Sequence, residues 1–425
     1  MMAHDTEELE HDAARGALEP QRDQPLTFRW RTDLRAIAAL GLAPARTSRH
    51  DDARNAVLTE AELAYERNSW VSFSRRPAWY VGRHRYYGHS YGYEPVLSAV
   101  ADGVNAGLLE ERRASPRTRG RQSRFHGTPL LHAFLSGAPI RPHLHEVIWL
   151  RDDRRRLINY GETTLTRRLR KEIEAINTVM AEIEVDLAGP DVQRVGSYWI
   201  VSGTGLLPAA PRVRRVFNRG SFHKGGRLYG WWQSLSSRDR RYLLLNGEPV
   251  LEPDYAQIHA QIIYALSDCA LVGDAYETGE FPRDWGKKAF NIGVNAKNRL
   301  SAIAAIAKEL EIGRNIASRL LSEITAKHRQ VSSIFCSDAG VKLMKIDGDI
   351  TLRAIQQCQT RGMSVLPVHD SLIVPARDAA LTAEIMEIAF SERFPNSRPC
   401  EIRIKDSLPQ NGKEWGERVV GRLAA

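Results

Sequence analysis

Long apolar runs are missing from this chain. No stretch approaches the about 18 consecutive apolar residues of a membrane helix, so no membrane partner is expected. Cysteine is scarce. Cys269, Cys336, Cys358 and Cys400 stand alone, without CxxC spacing, which argues against a thiolate zinc site and fits a reducing, cytoplasmic setting. There is no GxxxxGK[ST], which excludes a P-loop ATPase, and the "GTG" at 203–205 lacks a dinucleotide-binding context. No internal repeat is visible. The first 25 residues are polar and acidic and lack the basic-then-apolar order of a secretory signal, so a disordered tail is expected over 1–25. "HLHE" at 143–146 places His143 and His145 on one face of an expected strand, where a surface pair is the better reading than a metal site.

Positive charge is what the chain has in excess. Lys plus Arg number 60 against 51 Asp plus Glu, a formal net charge of +9. The excess is clustered. "ERRASPRTRGRQSRFHG" carries Arg117, Arg119, Arg121 and Arg124, and "RVRRVFNRGSFHKGGR" carries Arg227. Such blocks, interleaved with aromatics and glycines, suit a polyanion. The first follows "YEPVLSAVADGVNAGLLEE" (93–111), whose apolar spacing predicts an amphipathic helix. A helix followed by a basic hairpin is the pattern of a winged helix, in which the wing touches phosphates. A small helical adaptor with a charged loop fits the same residues. Further on, "TTLTRRLRKEIEAINTVMAEIEVDLAGP" (163–190) reads as one long helix, capped at Thr163 or Thr164 and basic on its outer face.

The chemistry concentrates in three stretches. In "LPVHDSLIVP" (366–375) two β-prone segments meet at His369-Asp370, a tight hairpin inside a buried sheet. In "NGEPVLEPDYAQIHAQIIYAL" (246–266) a short strand over 249–253 precedes Asp254, and an apolar-faced helix follows. If the strands are neighbours, the two carboxylates converge on one sheet edge. Two aspartates with few other protein ligands suit Mg2+, which keeps waters and takes substrate phosphates. Two such ions about 3.5–4 Å apart drive in-line phosphoryl transfer. In "FPRDWGKKAFNIGVNAKNRL" (281–300), Arg283, Lys287, Asn291 and Asn295 recur every fourth residue and share a helix face, with Arg283 at the N-terminal end that favours phosphate. Gly286 and Gly293 in the same helix each cost about 1 kcal/mol relative to alanine, so the helix is expected to serve something other than rigidity.

In this order the three stretches resemble motifs A, B and C of family A DNA polymerases and the related single-subunit phage-type RNA polymerases. "DYAQIHAQ" is similar to DYSQIELR, "RDWGKKAFNIGVNA" to RxxxKxxxFxxxYG, and "VHDSLIVP" to the VHDE segment. "GGRLYG" resembles the segment that leads into motif A, and "CEIRIKDSLPQNGKEWGE" the last palm strand. The match covers roughly 210–418.

The resemblance implies an α+β, right-hand polymerase-like fold. It would comprise a palm with an antiparallel sheet, helical fingers and a reduced thumb, beside the winged-helix-like domain. The corresponding divisions are a tail over 1–25, a DNA-binding region over 26–135, a connector and thumb-like helix over 136–205, and the catalytic core over 206–425. It further implies that Asp254 and Asp370 bind two Mg2+ ions (or Mn2+), with the backbone of Tyr255 as a further ligand. Arg283 and Lys287 would hold the triphosphate, with Asn291, Asn295 and His259 around the nucleotide. Arg227, His369 and the arginines at 117, 119, 121 and 124 would contact nucleic acid.

The implied partners are a DNA template and primer, dNTPs or NTPs, and a helicase or small accessory subunit. The activity would be that of a DNA polymerase without proofreading, with primase activity left open, in replication of a mobile element, plasmid or phage. A non-catalytic DNA-binding protein on a degenerate palm is the alternative. The departures are His259 in place of glutamate, Asn291 and Asn295 in place of Phe and Tyr, Ser371 after the second aspartate, and no recognisable glutamine helix in "FCSDAGVKLMKIDGDI".

Overall fold

A computed structural model of the chain describes residues 23–115, 122–195, 198–201, 204–206 and 210–405. The tail expected over 1–25 lies almost wholly outside these, as do Arg117, Arg119 and Arg121. The chain is a mixture of helices and sheets divided into two compact units. Among the described residues, no helix is long and apolar enough to cross a membrane.

The first unit comprises Met1–Val147, Ile158–Gly161 and Ala188–Ala210. Its strands β1 (Gln24–Pro25), β2 (Val71–Phe73), β3 (Leu109–Arg112) and β4 (Ser123–Gly127) form a sheet in the order β1-β2-β4-β3. Helices α1 (Ser48–Glu66), α2 (Tyr93–Asn105) and α3 (Pro129–Leu135) accompany it. From Ala53 onward every residue of α1 is buried, so its polar residues need partners inside the unit. Arg54 donates to Asp102 at 2.9 Å. Glu60 accepts from the Thr27 backbone N–H at 2.9 Å, the Thr27 hydroxyl at 3.0 Å and the Arg29 N–H at 3.2 Å. Burial still pushes the Glu60 carboxyl above the usual range. α2 is followed by the antiparallel β3–β4 pair, which sets Arg112 opposite Arg124. His143 and His145 are not on a strand, contrary to expectation. The strand here is Ile140–Pro142, and the two rings meet edge to face at 4.3 Å just beyond it.

The second unit comprises Ile148–Leu157, Glu162–Leu187 and Pro211–Ala425. Its long helix α4 runs Thr164–Met180, with Thr163 and Thr166 in a reciprocal capping box. It stops well short of the "AGP" that sequence reading took as its end. The residues after it alternate, and β6 (Val185–Leu187) pairs antiparallel with β9 (Leu243–Leu245) instead. A three-stranded sheet joins β5 (Ile148–Leu150), β7 (Arg214–Asn218) and β8 (Ser221–Tyr229) in the order β8-β7-β5. The larger sheet is centred on β10 (Glu248–Tyr255). It also holds β11 (Leu366–Val368), β12 (Ser371–Pro375) and β13 (Ile402–Lys405), and it runs β11-β12-β10-β9-β6 with β13 paired to β10. The helices after β10 are α5 (Ile258–Leu266), α6 (Arg283–Asn295), α7 (Arg299–Leu310), α8 (Arg314–Lys327), α9 (Gly340–Thr360) and α10 (Ala379–Arg393).

The two glycines of α6 have a packing explanation, which corrects the reading of a helix relieved of rigidity. A Cβ at Gly286 would stand 1.9 Å from the Tyr276 carbonyl oxygen, and one at Gly293 would stand 2.8 Å from the Phe335 ring. Both glycines admit neighbours that an alanine would push away. Gly286→Ala therefore meets fixed backbone. It is expected to destabilise the chain by about 1–3 kcal/mol, as overpacking does, despite its gain in helix propensity. Urea denaturation measures this, and an unchanged midpoint would refute the close approach.

Candidate active site

The site starts from the alternation of β10. Residues 252 and 254 point to one face, and Asp254 lies directly opposite Ser371 on β12. Ser371 follows Asp370 in the chain. Val368 pairs with Ser371, leaving His369 and Asp370 as the two turn residues. The second carboxylate thus sits at the same end of the sheet as the first, and both are half-buried. Tyr276 registers this convergence. Its hydroxyl is pushed up to about 12, by burial first and then by the negative charge of Asp370, with Asp274 and Asp254 adding to it and Arg283 opposing. Cys400 is also pushed up to about 12, by burial first and then by Glu401, Asp254 and Asp370.

The hairpin tip is strained. His369 holds φ +56°, a left-handed conformation suited to the first turn position of a tight hairpin, where glycine is the ordinary choice. Its ring meets Tyr229 edge to face at 5.7 Å. Burial and the neighbouring Arg227 hold the imidazole below its usual pKa, and its buried Nδ1 has no hydrogen-bond partner among the described residues. A non-glycine residue in such a conformation costs about 1–3 kcal/mol and tends to sit at functional sites.

Tyr255 supplies no side chain to the site. Its ring is buried, and its hydroxyl donates to the Met386 carbonyl at 2.6 Å, which fixes β10 to α10. Its backbone pairs with Ile402 of β13. After Tyr255 the chain turns through Gln257, at φ +55°, into α5, and the Gln257 side chain accepts from the Ala275 N–H.

Arg283 opens α6 and donates to Asp274 at 2.6 Å, with its guanidinium 5.4 Å from the centre of the Tyr276 ring. Tyr276 thus touches Arg283 at the start of α6 and lies within electrostatic range of Asp254, Asp370 and Asp274. Lys287 is exposed one turn on and Asn291 is half-buried. Asn295 is exposed and donates to the Asn291 carbonyl at 2.8 Å, and its amide covers Gly340 at the start of α9. His259 lies on α5 against Asp347 and Arg227. Its Nε2 is 2.7 Å from Asp347 Oδ2, and no hydrogen bond joins it to Asn295. Arg227 binds the same carboxylate, through Nε to Oδ1 at 3.0 Å. Burial opposes the Arg227 charge, but Asp347 and then Asp370 outweigh it and raise the guanidinium pKa.

Sequence reading missed Asp347 and Glu252. Asp347 is buried on α9, in the stretch where no polymerase helix was recognisable. The legible signal was "KIDGDI", two carboxylates around a glycine within a helix. A Cβ at Gly348 would stand 2.5 Å from the Gly226 carbonyl oxygen, so the glycine lets β8 lie against α9 and brings Arg227 to Asp347. Next to it, Asp349 pairs with buried Arg215 and with Lys345. Glu252 is buried two residues before Asp254. It accepts the Ser371 hydroxyl at 2.7 Å and pairs with Arg240 at 3.2 Å. Ser371, which follows Asp370, is thus hydrogen-bonded to a glutamate that comes from β10.

In the first unit, Arg124 pairs with Asp23 at 3.0 Å, and Arg112 and Arg124 both lie over the Trp70 ring, at 4.5 and 5.0 Å. Arg124 and the carboxylate pair belong to different units.

No protein-family model matches the chain, and no curated protein matches it. Among solved structures, the chain is similar to the POL domain of Pol1 from M. smegmatis, in complex with DNA primer-template and dNTP. The identity is 16%, the TM-score 0.33, and the alignment covers 45% of this chain. The match spans about half of that structure, 47%.

Proposed function

We propose that the second unit is a template-directed nucleotidyltransferase, a DNA polymerase without proofreading that uses two-metal phosphoryl transfer. The observation that carries the reading is the convergence of Asp254 and Asp370 on one end of a sheet, beside a helix that begins with Arg283. The donors are hard carboxylate oxygens, too few to cage an ion alone. That suits Mg2+ or Mn2+, whose shell is completed by water and phosphate. Asp254 and Asp370 would hold the ions, with the Tyr255 backbone in reach, and the ions supply charge neutralisation at the transferring phosphoryl group.

Arg283 and Lys287 offer cations for a triphosphate. The Arg283–Asp274 pair is partly exposed, so a phosphate can compete for the guanidinium at small cost. Asn291 and Asn295 continue that face. Arg227 and His259, held by Asp347, would face the primer end and the sugar. His259 Nε2 is already committed to Asp347, which leaves a constrained imidazole rather than a free polar gate. Primase activity and use of NTPs extend the same reading.

The test is primer extension with and without primer, with dNTPs and with NTPs. Template-dependent extension that needs Mg2+ or Mn2+ supports the proposal. Tight DNA binding without any incorporation favours a non-catalytic DNA-binding protein.

The helix and basic hairpin of the first unit fit a winged-helix role in holding DNA. Binding by the full chain should weaken steeply with salt, since each neutralised phosphate releases a counterion. Replacing Arg117, Arg119, Arg121 and Arg124 together by alanine is expected to flatten that dependence, as read by fluorescence anisotropy across a salt series. An unchanged slope would remove the hairpin from the interface. A helicase or small accessory subunit remains part of the proposal, and a pull-down with the full chain tests it.

A further inference from the structure

The first unit brings two buried carboxylates and a half-buried imidazole together at one point. Glu62 and Glu66 lie one turn apart near the C-terminal end of α1, and His132 comes from α3. One ligand atom from each lies within 4.8 Å of the others. The Glu62 side chain is 1% exposed and that of His132 15%. His132 Nδ1 stands 2.6 Å from Glu62 Oε1. Glu62 Oε2 is buried and has no hydrogen-bond partner among the described residues. A carboxylate oxygen left so costs about 1–3 kcal/mol or more, because its hydration is lost and nothing replaces it.

The local fold directs the three groups together. Gly127 ends β4 against α1, where a Cβ would stand 3.0 Å from the Ala61 carbonyl oxygen and 3.2 Å from Tyr65 Cβ. That close approach admits Thr128, which caps α3, and so brings His132 to the Glu62 face. The Tyr65 ring stacks on His132 at 4.9 Å and sets its plane. The imidazole is thus oriented by packing, as metal-binding histidines commonly are by their surroundings.

We infer that Glu62, Glu66 and His132 form a binding site for a divalent transition-metal ion of the Zn2+ type, which staples α3 to α1. Imidazole and carboxylate donors favour Zn2+ over Mg2+. The unpaired Glu62 oxygen is a ready ligand. Two ligands held at about 2.0–2.1 Å by a tetrahedral ion lie roughly 3.3 Å apart, so the 2.6 Å contact has to open by a fraction of an ångström only. The hydrogen now shared by His132 and Glu62 leaves to solvent as the ion enters. The site belongs to the first unit and does not depend on the polymerase reading.

The test uses the full chain carrying Asp254→Ala and Asp370→Ala, so that the proposed catalytic carboxylates cannot contribute. After removal of metal with chelator, the protein is dialysed against Zn2+ and analysed by plasma mass spectrometry. About one equivalent is expected to remain, with a raised melting temperature. Glu62→Gln and Glu66→Gln preserve shape and are expected each to weaken retention by roughly tenfold or more, because a charged ligand becomes neutral. A Co2+ form should lack thiolate charge-transfer absorption, which separates this site from the cysteines. Failure of the Asp254→Ala, Asp370→Ala protein to retain Zn2+ overturns the inference, as does retention by both glutamine variants that is as strong as that of their parent. Neither outcome touches the proposed polymerase activity, which is read by primer extension.

Discussion

Asp254→Asn and Asp370→Asn are each expected to lower nucleotide incorporation by about a thousandfold or more, with the fold retained. Asparagine keeps the shape and much of the hydrogen bonding but removes the negative charge that, in the proposed polymerase site, would hold a divalent ion. Removing a single preorganised electrostatic contact from an active site typically costs about 10²–10³ in rate, and a lost metal ligand acts on both attacking and leaving oxygens. The register makes the two variants comparable, since Asp254 faces Ser371 and Asp370 precedes it. Both side chains are half-buried, so neither change should unfold the sheet. Single-turnover primer extension in Mg2+, with thermal melts as the control for folding, gives the answer. A variant that extends primer at near wild-type rate would displace that residue from the chemistry.

The second large effect belongs to Asp347. Its side chain is 0% exposed, while those of its partners Arg227 and His259 are 16% and 17% exposed. Asp347→Ala leaves a largely buried guanidinium without its counter-charge. Breaking such a pair from one side typically costs about 3–5 kcal/mol, more than the intact pair contributes, because the remaining charge is stranded. The loss should appear as a lower urea midpoint with an unchanged slope. A double variant, Asp347→Ala with Arg227→Met, is expected to recover part of it by removing the stranded charge. Loss below about 1 kcal/mol would show that Arg227 and His259 reach water once released. If the proposed polymerase site is correct, milder Asp347→Asn should also change discrimination between dNTP and NTP, because His259 would no longer be held.

Much of the second unit was legible because its signals are local. The β-prone segments around His369-Asp370 read as a hairpin, and they form one. The strand-to-helix step at Asp254 and the cationic start of α6 at Arg283 were also readable, from β-prone and apolar spacing and from the recurrence of polar residues at every fourth position. Where reading failed, a distant partner decided the outcome. The helix over 163–190 was drawn too long because helical spacing continued through Ile183, whereas pairing with Leu243–Leu245 made a strand of 185–187. Propensity cannot foresee a hydrogen-bonding partner some 60 residues away. Gly286 and Gly293 looked like flexibility in the sequence. In the fold they are close contacts with Tyr276 and Phe335.

By itself, the sequence determined the placement of Asp254 and Asp370 at element boundaries, the cationic start of α6 and the hairpin after α2. Each follows from period, turn chemistry or composition within a short window. The tertiary structure alone decided that Asp347 ties Arg227 to His259, that Glu252 receives Ser371, and that His132 meets Glu62 and Glu66. Those groupings join residues from about 30 to 120 positions apart. They depend on glycines whose missing Cβ atoms let backbones approach, and on buried charge having to find a partner. Neither requirement leaves a periodic trace in the chain, because the cost of an unpaired charge is set by what surrounds it after folding.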